Sequence, residues 1–277
     1  MFYRRKDGNK IQCTACARNC EIIDSHVGYC GVRSCNVKDL KILNYGKFTI
    51  VKKHKKDLLV GGIGSNMRYS FDMDWDMSIL PYLLAKSTRR EEVNSFISKI
   101  GYEYTPQELV EYAQSKGCNR VVFQYNEPIV YIEYVLEVAK IFNVKLVSNG
   151  YFSKEVLEGI LSNISDIDIY LYSIFDKFYF KHSKAQLSII RENIYKLYSN
   201  NKNLRIICPL IPQENDDQKN IENIVMFIRY FSPSIPLVLK KYYPSYRMVD
   251  KEVTKDEKMQ ECEKIALKNG LQDVILE

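Results

Sequence analysis

The chain has 277 residues, 46% hydrophobic and 27% charged. That is ordinary globular composition, and it excludes a disordered, collagenous or mucin-like polypeptide. Forty basic residues against 34 acidic ones leave a net charge of +6, an excess that aids solubility without requiring a nucleic-acid partner.

In chain order, residues 1–12 carry Arg4, Arg5 and Lys6 but no apolar stretch, so no secretory signal is expected. Residues 1–45 hold five of the eight cysteines and read as a small Cys-rich cap. Residues 46–277 then alternate strand and helix. The basic run Lys52-Lys53-His54-Lys55-Lys56 reads as a solvated loop, and residues 58–63 as a strand. Residues 78–101 read as helical without a fixed register. Thr105-Pro106-Gln107-Glu108 is a capping box with proline at the first helical position.

Strands are expected at residues 119–125, 145–148, 166–172, 204–210 and 236–239, where β-branched and aromatic residues cluster. Helices are expected at 129–141, 153–161, 189–197, 220–230 and 255–269, the last closed by Gly270. The alternation implies an α/β fold with about six parallel strands and right-handed crossovers, either an incomplete barrel or an open doubly wound sheet. No run of 18 apolar residues occurs, so no membrane span is expected. With few cysteines outside the cap, the expected setting is a reducing cytoplasm.

Cys13-x2-Cys16-x3-Cys20-x9-Cys30 carries the most specific chemistry. Short spacings let one turn present two soft thiolates and a later pair close a tetrahedron. Zinc and an iron–sulfur cluster both suit four cysteines. Cys35 and His26 are candidate substitute ligands, less favoured than the four. Cys118 and Cys208 read as small buried hydrophobes, and His182, beside Phe180 and Lys181, as a surface or half-buried histidine. The Asp72-x-Asp74-x-Asp76 run lacks the glycine and distant glutamate of a calcium loop.

The segment from Cys13 to Cys20, followed by Gly28-Tyr29-Cys30-Gly31-Val32-Arg33, resembles the N-terminus of the AmmeMemoRadiSam radical SAM proteins, relatives of the pyruvate formate-lyase activating enzymes. The resemblance continues through Tyr125-Asn126-Glu127-Pro128, Glu133-Tyr134, Ser148-Asn149-Gly150-Tyr151, Asn215-Asp216 and Gly270-Leu271. It implies a partial (β/α)6 TIM-like barrel of the radical SAM type behind the cap. It also places Asn126, Glu127 and Asn149 where such enzymes hold S-adenosyl-L-methionine (SAM). Family members often continue past Leu276-Glu277, so any function of such a tail is not expected here.

The departures point the other way. The family's cluster loop falls on residues 64–78, anchored by Gly64, Asn66, Trp75 and Ser78. Its three cysteines fall on Ser65, Tyr69 and Asp72, which make a poor iron–sulfur site. The family's inward Asp and Lys of a later strand fall on Tyr170 and Tyr172, and Tyr69, Tyr125, Tyr170 and Tyr172 are candidates to fill the former cofactor cavity. The expectation is therefore a degenerate radical-SAM-like protein. It would lack radical activity, keep a metal at Cys13, Cys16, Cys20 and Cys30, and serve as a binding or scaffold protein, with an active paralogue as candidate partner. The competing readings are an active radical SAM enzyme of the glycyl-radical-activating kind, or a SAM-binding enzyme with an atypical site. SAM binding is the less favoured expectation, and nucleic acid is not an expected partner.

Overall fold

The computed structural model describes residues 1–87 and 90–277. They divide into two compact units, Met1–Arg68 with Asp74–Asp166, and Tyr69–Met73 with Ile167–Glu277. Thr88 and Arg89, inside the stretch expected to be helical, lie outside the described residues.

The first unit opens on an antiparallel meander of β1 (Tyr3–Lys6), β2 (Lys10–Cys13) and β3 (Glu21–Ile23), with Tyr3 opposite Cys13 and Lys10 opposite Ile23. β4 (Arg33–Asn36) and β5 (Asp39–Ile42) form a hairpin whose two turn residues, Val37 and Lys38, have φ of 47° and 69°. That turn suits Asn-Gly and strains a β-branched residue. Val37 is exposed, and only its backbone N–H is used, donating to Asp24 Oδ1 at 2.8 Å. The double replacement Val37→Asn, Lys38→Gly is therefore expected to raise unfolding free energy by about 1–2 kcal/mol, read as a higher urea midpoint with unchanged slope.

The unit continues with β6 (Lys47–Phe48), β7 (Ile50–His54), β8 (Asp57–Gly61), α1 (Trp75–Ser78), α2 (Leu80–Ser87), α3 (Arg90–Ser98) and β9 (Tyr102–Glu103). Then follow α4 (Pro106–Ser115), β10 (Arg120–Phe123), α5 (Ile132–Ala139), β11 (Val144–Ser148) and α6 (Lys154–Asn163). Its main sheet has the order β7-β8-β10-β11, with β8, β10 and β11 parallel and β7 antiparallel to β8. Thr105 and Glu108 form the expected capping box at α4. Phe48, Phe123, Tyr131 and Tyr134 pack mostly edge-to-face in its core.

In the second unit β12 (Asp166–Tyr170), all but its first residue, leads to α7 (Asp176–His182), α8 (Leu187–Ser199), β13 (Asn203–Leu210), α9 (Gln218–Phe231), β14 (Leu237–Lys241), α10 (Asp256–Lys268) and β15 (Val274–Leu276). β12 lies beside β13, and β13, β14 and β15 run parallel. Gly270, with φ of 94°, turns the chain out of α10.

All six expected strands form; the first unit adds β7 and the second adds β15. Lys52-Lys53-His54 is exposed, as expected of a solvated run, yet it lies in edge strand β7 rather than in a loop. Charge on an edge strand deters pairing with other chains. β15 has only three residues, too few to show an alternation. Among the described residues no helix is long and apolar enough to cross a membrane.

Candidate metal centre

The four spaced cysteines are gathered by backbone in the first unit. Cys13 ends β2, and its N–H donates to the carbonyl of Cys20 at 2.9 Å. Cys16 forms an antiparallel bridge with Phe152, just beyond β11. Cys30 sits in the turn before β4, where Gly31, with φ of 80°, lies so close to the backbone of Pro81 and Tyr82 that a Cβ would meet Tyr82 N at 2.5 Å. The thiols of Cys13, Cys16, Cys20 and Cys30 line one small space of about 10 Å³, walled by Ala15, Ile22, Arg33, Ile129 and Val130. Burial pushes the Cys30 thiol up to about 12 and raises Cys16 and Cys20 as well, so these sulfurs hold their protons at neutral pH.

All four are free thiols. Among the described residues no three His, Cys, Asp or Glu side chains are closed to metal-ligand geometry. Cys13, Cys16, Cys20 and Cys30 nevertheless share the lining of that one space. Neither substitute ligand lines it: Cys35 is buried with its Sγ toward the Asn9 carbonyl, and His26 is exposed with Nδ1 at 2.8 Å from the Asp24 carbonyl.

Arg33 forms one wall. It is 2% exposed and donates to Glu133 through Nη1 at 2.8 Å and Nη2 at 2.7 Å. Nη1 also reaches the Val130 carbonyl and Nη2 the Phe2 carbonyl, while Phe2 N–H donates to Glu133 Oε1. Burial alone would raise the Glu133 pKa, but Arg33 and the Phe2 N–H more than offset it, so the carboxyl is held below its ordinary value. Both residues lie in the segments that carried the family resemblance, yet no local pattern joins them. An arginine three residues after the fourth cysteine was the signal available.

Asn126, Glu127 and Asn149 do come together, at the ends of β10 and β11, and their polar atoms are engaged within the chain. Glu127 Oε1 accepts from Ser148 Oγ at 2.8 Å and Ile129 N at 3.2 Å, and Oε2 from Asn149 N at 2.8 Å. Asn126 Oδ1 accepts from Gly62 N and Tyr131 Oη, and its Nδ2 donates to the Gly64 carbonyl. Asn149 Nδ2 donates to Asn66 Oδ1 at 2.7 Å, and its Oδ1 accepts from Tyr151 N. Burial pushes the Glu127 carboxyl up to about 7 against these three donors.

Ser65, Tyr69 and Asp72, the positions that the resemblance sets against cluster ligands, have the following surroundings. Ser65 Oγ donates to the Met67 carbonyl at 2.7 Å and accepts from Met67 N. In the second unit Tyr69 stacks on Phe71 at 4.9 Å and contacts Tyr172 at 4.8 Å. Ser245 Oγ donates to the Asp72 carbonyl. Tyr170 stacks on Tyr172 and Tyr172 on Phe178, so three of the four candidate filling tyrosines belong to one aromatic stack. Tyr125, in the first unit and with φ of 74°, lies against Gly61 instead.

The reading of His182 needs correction. It is 5% exposed, Nδ1 lies 2.7 Å from Ser70 Oγ, and Nε2 lies 3.1 Å from Glu214 Oε2. Burial lowers its pKa, partly offset by Glu214, which favours the neutral ring with Nε2–H donated to the carboxylate. The sequence hid this relay because Ser70 lies 112 residues from His182.

No protein-family model matches the chain. The uncharacterised protein MJ0808 of Methanocaldococcus jannaschii is 27% identical over 299 aligned positions, covering 100% of this chain and 84% of that protein. Among solved structures, a radical SAM methyltransferase from Sphaerobacter thermophilus gives a TM-score of 0.56 at 10% identity, covering 82% of this chain and 68% of that one. TYW1 with a lysine-pyruvate adduct bound gives 0.52 at 17% identity, covering 82% and 76%. At these identities the likeness is one of architecture, and the chain has a mixed α/β fold of the radical SAM type.

Proposed function

We propose that this chain is a metal-bearing binding or scaffold protein on a radical SAM-type fold, without radical activity of its own. The observation that carries the reading is the closure of the strand-end network. Both Glu127 oxygens and both amide ends of Asn126 and Asn149 are occupied by neighbouring groups of the chain. A cofactor ammonium would have to share acceptor oxygens that the chain's own buried donors already engage, in place of a carboxylate held open for it.

A 4Fe–4S cluster does not fit residues 65–72. An alcohol in a serine turn, a stacked phenol and an aspartate stand there where the resemblance expects three thiolates. The N-terminal thiols do fit a metal. Four cysteines lining one space match the ligand set of a closed structural zinc site, and zinc is the metal this reading takes. Zinc held by Cys13, Cys16, Cys20 and Cys30 would supply a cross-link and no redox chemistry. Free cysteines throughout suit the cytoplasm, and the partner on this reading is a protein, with an active paralogue the candidate.

Metal analysis and anaerobic reconstitution test this together. The expected outcome is about one zinc per chain. On incubation with iron, sulfide, reductant and SAM, no 5′-deoxyadenosine should form. A SAM-responsive 4Fe–4S signal that persists in the Cys13→Ser, Cys16→Ser variant, with 5′-deoxyadenosine produced, would overturn the proposal in favour of an active enzyme.

A further inference from the structure

Arg33 has one unexplained atom. Its Nη1 and Nη2 are spent on Glu133 and two carbonyls. Its Nε is a buried N–H without a hydrogen-bond partner, on a side chain that is 2% exposed and forms a wall of the thiol space. Cys13 and Cys30 line the same space as Arg33. Buried donors are nearly always satisfied, and an orphan asks for a partner. A neutral thiol is a weak acceptor, whereas a metal-bound thiolate is a strong one.

We infer that Arg33 donates its Nε–H to a metal-bound thiolate of the Cys13, Cys16, Cys20, Cys30 centre and faces that centre with the positive end of a buried Arg33–Glu133 pair. This rests on the metal reading above. When four thiols bind one divalent ion, each sulfur exchanges its proton for a metal bond. Four protons leave, and the centre carries a net charge of −2. Glu133, through a two-point grip on the far edge of the guanidinium, fixes which nitrogen remains for the sulfur. Outer partners of this kind hold metal ligands in place and change affinity by about 10–100-fold when removed.

The wild-type protein loaded with ¹¹³Cd tests the contact directly. The Arg33 Nε–H resonance should shift on loading and show a scalar coupling to the cadmium through the N–H···S bond. A second measurement uses chelator competition for zinc on folded variants. Arg33→Met with Glu133→Leu, which removes donor and counter-ion together, should bind zinc at least tenfold more weakly. Arg33→Lys, which keeps the charge but lacks the Nε–H fork, should fall between it and wild type. Cobalt substitution should move the sulfur-to-metal charge-transfer band in both variants, a change that mere loosening of the fold does not produce. An unshifted, uncoupled Arg33 resonance in the cadmium form, or wild-type zinc affinity and cobalt spectrum in the folded double variant, overturns the inference while leaving the metal in place. Failure of the wild-type protein to take up cadmium or zinc overturns the metal reading and this inference with it.

Discussion

Replacing Glu133 by alanine is expected to destabilise the protein by about 3–5 kcal/mol in urea unfolding, because it leaves the Arg33 charge buried and unpaired. The two side chains are 2% and 8% exposed, so water cannot replace the carboxylate. The loss also strips Phe2 N–H of its acceptor. Replacing both partners with apolar residues, as in Arg33→Met with Glu133→Leu, removes the desolvation penalty along with the attraction and should cost markedly less than the single change. A double variant less stable than Glu133→Ala would mean that the pair owes its value to the backbone carbonyls and Phe2 rather than to charge.

Glu127 sets the second large effect, and its sign is opposite to that of most carboxylates. Burial raises its pKa from 4.5 to about 7, so the folded chain holds this proton more tightly than the unfolded one. The stabilisation is complete below about pH 4.5 and is lost as pH rises through about 7. The interval corresponds to about 3 kcal/mol. Glu127→Gln cannot ionise and lacks that slope. The variant should therefore gain about 3 kcal/mol relative to wild type between pH 4.5 and 8, on top of a pH-independent loss of about 1–3 kcal/mol for an amide facing three donors. The relative gain with pH is the diagnostic quantity. A constant difference across the range would place an ordinary carboxylate at 127.

Local chemistry was legible in the sequence, and long-range pairing was not. The capping box at Thr105, the glycine after α10 and the alternation of strands and helices leave local signatures, since each is set by residues within one or two turns. The cysteine spacing is legible for the same reason: three of the four thiols sit within eight residues of chain. Arg33 and Glu133 are 100 residues apart, and nothing in either neighbourhood names the other. The His182 relay and the aromatic stack of Tyr69, Phe71 and Tyr172 share that difficulty. The network at Asn126, Glu127 and Asn149 was located by resemblance. That its polar atoms are spent on neighbouring groups of the chain, Gly62, Gly64, Asn66 and Ser148 among them, could be read only from three-dimensional proximity.

The bridge between Cys16 and Phe152 bears on the order of events when the chain folds. Cys13 and Cys20 are joined by a short local bond and can meet early. Cys16 reaches its position only once β11 and the turn beyond it exist to receive it. Contacts between segments so far apart in the chain carry a large loop-closure cost and form late. The fourfold thiol cavity is thus a product of the nearly finished fold rather than its nucleus, and an ion that arrives early meets only part of its final coordination sphere.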